Sequence, residues 1–482
     1  MTAVEAGGPR RGNGAFYLLI TGAFAFLTIP RMAQSGMFLD GLTYASISRN
    51  LAQGIGSFWV PSYTSTLYPQ FYEHPPLGFA LQALGFRFFG DYLFVERAYS
   101  FLAGALIGFL IIEIWRSTVG ESKYEWLPIV FWLLPSTVTW SIVNNLLETT
   151  QTLFTTLAVL CFVRSLHSGR IALVWASLSG LCVVGAVLTK GPTGLFPLAA
   201  PLIAMVVTRA PVGNILRSGV TLLTTAAATA AVVFWPEGAR AAFSTYWDRQ
   251  VVASMSGARG GGRWSSLARH LSGGVIIRMG SLLALAWLYR VVRNTGVSQE
   301  NGVRNSWGWF FLLLALAGSV PVVLSARVMG HYLVPSLPLY ALGCATLCLT
   351  LIKPALDRWR SGRILTRVVG TVGAVLLIAA VAIPVSGGTL ERRDSDWILE
   401  YRHLADSIPR GATLSTCEAV RTEWGLHAYM QRFFQVSLDP EPGNRHRYFL
   451  QRTDRQCEAP PACRISTAGR RLVLLDCEPG RD

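Results

Sequence analysis

Residues 364–386 read ILTRVVGTVGAVLLIAAVAIPVS, an apolar run that carries a single charge, Arg367. A helix of that length and polarity crosses the roughly 30 Å hydrocarbon core of a bilayer, because about 20 apolar residues suffice and a helix satisfies its own backbone. The run stands at a boundary: charged, mixed sequence follows it and similar runs precede it. Working back from it, we place ten more, near 15–32, 93–115, 126–143, 148–164, 171–189, 193–208, 218–236, 275–292, 307–325 and 332–352. The expected fold is therefore an all-α polytopic membrane protein of about 11 spans, with several short runs that could be re-entrant. Composition agrees: 51% of the 482 residues are hydrophobic and 14% are charged, and the mean hydropathy is +0.40, more apolar surface than one water-soluble core needs.

The net charge of +15 would suit a nucleic-acid partner if the basic residues shared one polar face. They fall instead in short groups between the apolar runs, so no nucleic acid is expected and the charge reads as topology. With the N-terminus inside, the inner loops collect Arg10, Arg11, Arg116, Lys123, Arg164, Arg170, Arg209, Arg217, Arg290, Arg293, Arg304, Lys353, Arg358, Arg360, Arg363 and Arg367. An odd span count then puts the C-terminus outside. The opening MTAVEAGGPRRGNG followed by AFYLLITGAFAFLTIP has the order of a signal peptide without an A-x-A cleavage site, and is read as a retained first span.

Two domains are expected, a membrane domain over 1–386 and an exterior soluble domain over 387–482. The second contains strand-like RLVLLDC and helix-like SDWILEYRHLADSI, the marks of a small α+β unit. Its four cysteines, Cys417, Cys457, Cys463 and Cys477, suit disulfides in an oxidising compartment, with the pairing left open. No CxxC favours zinc. Cys161, Cys182, Cys344 and Cys348 lie within spans and read as small hydrophobes.

Between the first two spans, about 33–92, lies a long exterior stretch with interfacial helices. Leu42, Tyr44, Ile47 and Leu51 would lie on the bilayer plane, with Tyr68, Phe71, Tyr72, Phe86 and Phe88 at headgroup level. That leaves Asp40 at the mouth of the helix cluster. Glu148, in NNLLETTQTLF, is costly at a membrane boundary unless it faces a polar cavity, although a helix N-terminus also favours it. Lys190, in VLTKGPTG, could serve a site or snorkel to the interface.

Four segments together carry a resemblance: D-x-x-x-Y-x-x-I-x-R-N at Asp40–Asn50, YEHPPLGF with a following FG at Tyr72–Gly90, LTKGPTG at Leu188–Gly194, and HYLVPSLPLYAL at His331–Leu342. In this order the chain resembles the polyprenyl-phosphate-dependent glycosyltransferases of the GT-C superfamily, especially family 39 and its relatives, the protein O-mannosyltransferases and lipid A aminoarabinose transferases. The resemblance extends over most of 15–352; VERAYSFLAG, with Arg97, looks like the family's Arg-led second span. It implies a catalytic carboxylate at Asp40, an acidic residue at Glu148, a polyprenyl-phosphate-linked sugar as donor and inversion at the anomeric centre. Two departures stand out. Many relatives have Asp-Glu where this chain has Asp40-Gly41, so the second carboxylate is missing or supplied by Glu73 or Glu148. His74 replaces the Lys common in the aminoarabinose transferases.

Transfer from a lipid phosphate needs a base for the acceptor and cationic or hydrogen-bonding groups for the departing phosphate. Asp40 and Glu148 are the catalytic candidates. Lys190, Arg97, Arg259, Arg327, His331 and Tyr332 are candidates for binding the substrate, and Glu73 and His74 could bind it or a divalent cation. His74 could also simply cap the turn before Pro75, and Arg97 could pair with Glu96. A Gly-rich loop over 237–274, with Arg259 and Arg263, could close over a carrier. No P-loop or dinucleotide fingerprint is present, which argues against a nucleotide-driven pump or a nucleotide-sugar enzyme. The rival readings are a transporter or flippase for lipid-linked sugars, and an assembly or receptor protein acting through its C-terminal domain. The acceptor is left unread, and the expected location is a bacterial inner membrane, with membrane lipids as neighbours and the active side in the periplasm.

Overall fold

A computed structural model describes residues 13–167, 169, 171–255, 275–293, 301–325, 329–360, 362–441, 446–454, 457, 459–460 and 463–477. Among these, seven helices are long and apolar enough to cross a membrane, or eight if one bent pair is a single span. The expected eleven are thus not all met, although a helix stands at each of the eleven runs. Six of the seven are α1 (Gly14–Met32), α4 (Phe94–Thr118), α8 (Ala172–Lys190), α10 (Val212–Val233), α13 (Asn301–Val323) and α15 (Arg363–Val385); α14 (Leu337–Arg360), with the 3-10 turn Gly330–Ser336 that leads into it, completes them.

The shortfall has physical causes. The run at 126–143 is split into α5 (Leu127–Leu133) and α6 (Ser136–Val143), which meet at 76°, where Pro135 lacks the amide that would continue the ladder. The run at 193–208 spends its first half in Pro-containing 3-10 turns and leaves only α9 (Ala200–Val207). Helix α7 (Leu147–Ser165) is long enough, but its first turns are Glu148, Thr149, Thr150, Gln151 and Thr152, all buried against protein. Helix α12 (Val275–Arg293) stands at the run 275–292.

Small residues set the helix packing, as expected where lipid supplies no hydrophobic drive between helices. The first and last spans, α1 and α15, lie so close that a Cβ on Gly22 would strike the carbonyl oxygen of Gly373. Helix α8 meets α10 where Gly180 faces the Leu222 carbonyl, and α13 meets α14 at Gly308 and Gly343. At one end of the bundle the acids of the α4–α5 region gather basic residues that the charge alternation assigns to a single side. Glu113 pairs with Arg116 at 2.7 Å and Arg164 at 2.6 Å, and Glu121 pairs with Lys353 at 2.7 Å and with Arg304.

At the other end stand α2 (Leu39–Ala52), α3 (Leu77–Phe89) and the soluble unit. The latter is a five-stranded sheet in the order β2-β1-β3-β5-β4, built from β1 (Thr413–Thr416), β2 (Ser437–Asp439), β3 (Tyr448–Arg452), β4 (Cys463–Ala468) and β5 (Leu472–Cys477), with α16 (Ser395–Ala405) and α17 (Trp424–Phe434). Strand β1 runs parallel to β2 and β3, and β5 is antiparallel to β3 and β4. Cys417 pairs with Cys457 and Cys463 with Cys477, which closes the pairing left open by the sequence. The four cysteines of the spans are reduced and buried.

The apolar face of α2 does not lie open on a bilayer plane. Leu42 packs into the core of the soluble unit, and Tyr44 and Ile47 pack with Phe71, Phe79 and Leu147. Of the expected headgroup aromatics, Phe86 is buried and Phe88 is exposed. The helix is covered because α17 docks on it. Arg432, 2% exposed, reaches out of α17 to Glu96 at 3.0 and 2.8 Å and to Asp91 at 2.7 Å. In return, Arg49 of α2 donates to the Gln431 carbonyl (3.0 Å) at the C-terminal end of α17, where the helix dipole favours a cation.

Removing one member of a buried charge pair strands the other, at a cost of about 3–5 kcal/mol. Arg432→Met is therefore expected to lower the thermal unfolding temperature of the purified protein and to make the sheet unit releasable by trypsin. Wild-type protease resistance in a folded Arg432→Met protein would show that Glu96 and Asp91 do not hold the two parts together.

Candidate functional site

Two of the four motif segments converge on one side chain. Glu148 sits in the first turn of α7 and is 1% exposed, and its Oε1 lies 2.6 Å from Nζ of Lys190. Lys190 is the last residue of α8 and does not snorkel: its side chain is 10% exposed and turned inward. His331 Nε2 lies 3.5 Å from the same carboxylate oxygen, and the ammonium of Lys190 stands 5.3 Å from the ring centroid of Tyr332. Among the described residues Glu148 Oε2 has no hydrogen-bond partner, so the carboxylate keeps acceptor capacity inside a buried cluster, where such capacity is costly.

Chain direction at both ends of this pair is fixed by local chemistry. Lys190 is followed by Gly191 at φ +86°, and a Cβ there would strike the hydroxyl of Tyr246, which donates to the Lys190 carbonyl at 3.4 Å. Tyr246 ends α11 (Glu237–Tyr246), so this helix rests on the K-G-P-T-G turn. Gln151, one turn beyond Glu148, donates to the Ala186 carbonyl at 3.2 Å and accepts from Thr193 at 3.1 Å, tying α7 to the same turn.

The Asp40 segment joins the cluster through Tyr44. The hydroxyl of Tyr44 is 2.9 Å from His74 Nε2, and the two rings meet edge to face at 5.5 Å. Burial, then the negative charges of Asp40 and Glu148 and the neighbouring Tyr332 and Glu73, hold its phenol well above the ordinary pKa, so it stays a neutral hydroxyl. One side chain thus feels Asp40, Glu73, Glu148 and Tyr332 together. Asp40 itself lies in the first turn of α2 and is partly exposed.

The two asparagines before α7, which the sequence reading passed over, set the position of α2. Asn144 Oδ1 accepts from the Phe38 amide at 2.8 Å, and Asn145 donates to the Gly41 carbonyl at 3.2 Å. Asn145 takes φ +52°, a left-handed conformation that Asn tolerates better than most residues, and Gln82 of α3 donates to its side chain at 2.6 Å. A Cβ at position 41 would collide with the Asn144 carbonyl oxygen and crowd Met37 Sδ. This explains the Asp40-Gly41 departure: the second position has no room for a side chain.

Other candidates fall elsewhere. Arg97 donates to the carbonyls of Gln34 (2.6 Å), Gly36 (3.1 Å), Ser35 (3.3 Å) and Met32. It is spent on the link between α1 and α2, a positioning task, and Glu96 pairs with Arg432 rather than with it. Arg259, Arg263 and Arg327 lie outside the described residues. No group of three metal-ligating side chains forms among the described residues, and Nε2 of His74 is held at the Tyr44 hydroxyl. A narrow cleft beside His74 is walled by Trp59, Tyr72, Phe243 and Tyr246, so α11 forms one flank of the site.

Residues 73–238 match the model of the family described as dolichyl-phosphate-mannose-protein mannosyltransferase. No curated protein sequence matches the chain. Among solved structures, ArnT from Cupriavidus metallidurans bound to undecaprenyl phosphate superposes with a TM-score of 0.66 at 14% identity, over 96% of this chain and 98% of that one. Its apo state gives 0.59 at 14% identity, over 96% of each chain. The archaeal oligosaccharyltransferase AglB from Archaeoglobus fulgidus, in complex with an inhibitory peptide and a dolichol-phosphate, gives 0.50 at 12%, over 91% of this chain and 69% of that one. Fold and family match bear out the resemblance to the GT-C superfamily of polyprenyl-phosphate-dependent glycosyltransferases.

Gly41→Ala is expected to destabilise the protein by about 1–3 kcal/mol, the usual cost of overpacking. Gly213→Ala, whose new Cβ would meet no atom within 4 Å, is expected to cost nothing or to gain slightly from helix propensity. Equal thermal midpoints for the two variants would disprove the tight contact between α2 and Asn144.

Proposed function

We propose that this chain is a membrane glycosyltransferase that moves a sugar from a polyprenyl-phosphate carrier to an acceptor on the extracytoplasmic side. The observation that carries the reading is the buried Glu148–Lys190 pair, flanked by His331 and Tyr332 and set beside the Asp40 helix. A buried ammonium held by a single carboxylate can turn to a phosphate at little further desolvation cost, since it has already left water. The undecaprenyl phosphate of the structural relative supports a carrier of this class. The N-terminus is assigned to the cytoplasm and the sheet unit to the periplasmic side of an inner membrane, with the basic end of the bundle inside.

In the proposed reaction the acceptor oxygen bonds to the anomeric carbon while the bond from that carbon to the carrier phosphate breaks. The acceptor proton passes to Asp40, and polyprenyl phosphate leaves with the bonding electrons, stabilised by Lys190 and, when protonated, His331. Attack opposite the leaving group inverts the anomeric centre. Glu148 holds Lys190 in place before the donor arrives, and Tyr332 and Tyr44 line the same space. Glu73 and His74 bound it near the cleft under α11, where a lipid-linked donor would enter. The same charges could serve a flippase, but a base at Asp40 has no task there.

The test is release of polyprenyl phosphate by purified protein in nanodiscs, over a panel of polyprenyl-phosphate sugars and acceptors. Asp40→Asn, folded as judged by its unfolding midpoint, is expected to lose about 100-fold or more in turnover, the lower range of a general base. Lys190→Ala should lose a comparable factor. Turnover is expected to persist after chelation of divalent cations. Tight donor binding without turnover on any sugar would instead establish the flippase.

A further inference from the structure

Apart from the Glu148 cluster, the soluble unit holds a cavity of 240 Å³, open to solvent, between α16, the start of α17 and the paired ends of β3 and β5. That space suits a group about the size of one six-membered sugar ring. Its floor is aromatic: Tyr401 and Tyr429 lie 5.9 Å apart, and Trp397 stacks on Tyr401 at 5.9 Å. Its rim is charged and comes from separate elements, with Asp394 before α16, Glu423 before α17 and Arg452 from β3. Arg452 is aimed and held by Asp454 at 2.6 and 2.8 Å and by Glu423 at 3.1 Å.

The mixture of rim groups identifies the ligand. A cation needs only acceptors and an anion only donors, whereas each hydroxyl of a polyol both donates and accepts. Two carboxylates beside one guanidinium supply both roles, and the aromatic side chains give the cavity apolar surface for the carbon-bound hydrogens of a sugar ring. The three rim charges sum to −1, so an anionic sugar or the lipid phosphate is disfavoured. Asp394, moreover, is a non-glycine residue at φ +53°, in the left-handed region, and its carboxylate is gripped by the Tyr429 hydroxyl at 2.8 Å. That same hydroxyl accepts from the Met37 amide at 3.2 Å, three residues before Asp40. The cavity is therefore wired by one tyrosine to the segment that leads into the proposed base.

We propose that this cavity is a binding subsite for one uncharged or amino-substituted sugar ring of the acceptor. The assignment of the ring to the acceptor rests on the glycosyltransferase reading; the binding itself does not. Gly425 lines the cavity, and a Cβ there would meet no atom within 4 Å, so Gly425→Phe should fill the space without disturbing the fold.

Isothermal titration of the full chain in nanodiscs with methyl mannoside, methyl glucosaminide and methyl glucuronide tests the inference. A Kd on the order of 1 mM is expected for at least one of the first two, with glucuronide at least about tenfold weaker. Both Gly425→Phe and Glu423→Gln should weaken binding at least about tenfold at an unchanged unfolding midpoint. No binding by any glycoside, glucuronide binding as tightly as the others, a basic peptide competing better than the sugars, or undiminished binding in Gly425→Phe would each overturn the subsite. Release of polyprenyl phosphate is read on the same wild-type preparation. A failure of that reaction with glycoside binding intact removes the transferase reading alone, and the converse removes the subsite alone.

Discussion

A carboxylate taken out of water must be compensated, and Glu148 is the place where this chain meets that demand. Its cost explains why Lys190 turns inward, why His331 and Tyr332 close over the pair, and why the first turns of α7 are threonine and glutamine rather than leucine. Thr152 hydrogen-bonds back to the Glu148 carbonyl, Gln151 reaches across to the turn at Gly191 and Thr193, and Thr150 meets the Tyr99 hydroxyl of α4. The charged pair is thus a structural centre before it is a chemical one.

The helical runs, the basic groups between them and the four motif segments were legible in the sequence because each rests on a local rule: apolar length, charge grouped between apolar runs, and short motifs at helix ends. The breaks were not. Pro135 signals a kink but not its angle, and α7 reads as an ordinary span until its polar turn is seen buried against α8 and the 3-10 turn at His331. The fate of Arg97 was invisible for a related reason, since its partners are backbone carbonyls, and carbonyls leave no trace in residue identity. The task of Asn144 and Asn145 was hidden in the same way, as they grip the backbone of α2. Glycine gave the one clear clue that went unread, because Gly41 in place of a carboxylate pointed to a close approach.

The soluble unit was legible as a small α+β domain with paired cysteines, but its relation to the rest was not. Sequence showed a loop with interfacial helices and a distant tail; the structure puts one on the other through Arg49, Arg432, Glu96 and Asp91. Charged side chains separated by more than 300 positions carry no pattern that links them. Once docked, α17 and the link at Met37 frame the helix that carries Asp40, so the tail is part of the scaffold around the membrane boundary and not an appendage to it.

The glycine contact between α1 and α15 sets an order of events in the life of the chain. The first span emerges from the ribosome about 350 residues before its partner, a wait of tens of seconds at ordinary rates of synthesis. Until then α1 has only its partial contacts with α5 and α6, and α2 has no lid. Packing α15 on α1 and docking the sheet unit on α2 are the last steps, and both bear on the segment around Asp40. A ribosome that stalls early leaves a bundle in which α2 lacks its cover, so the surroundings of Asp40 are complete only once α15 and the sheet unit have been made.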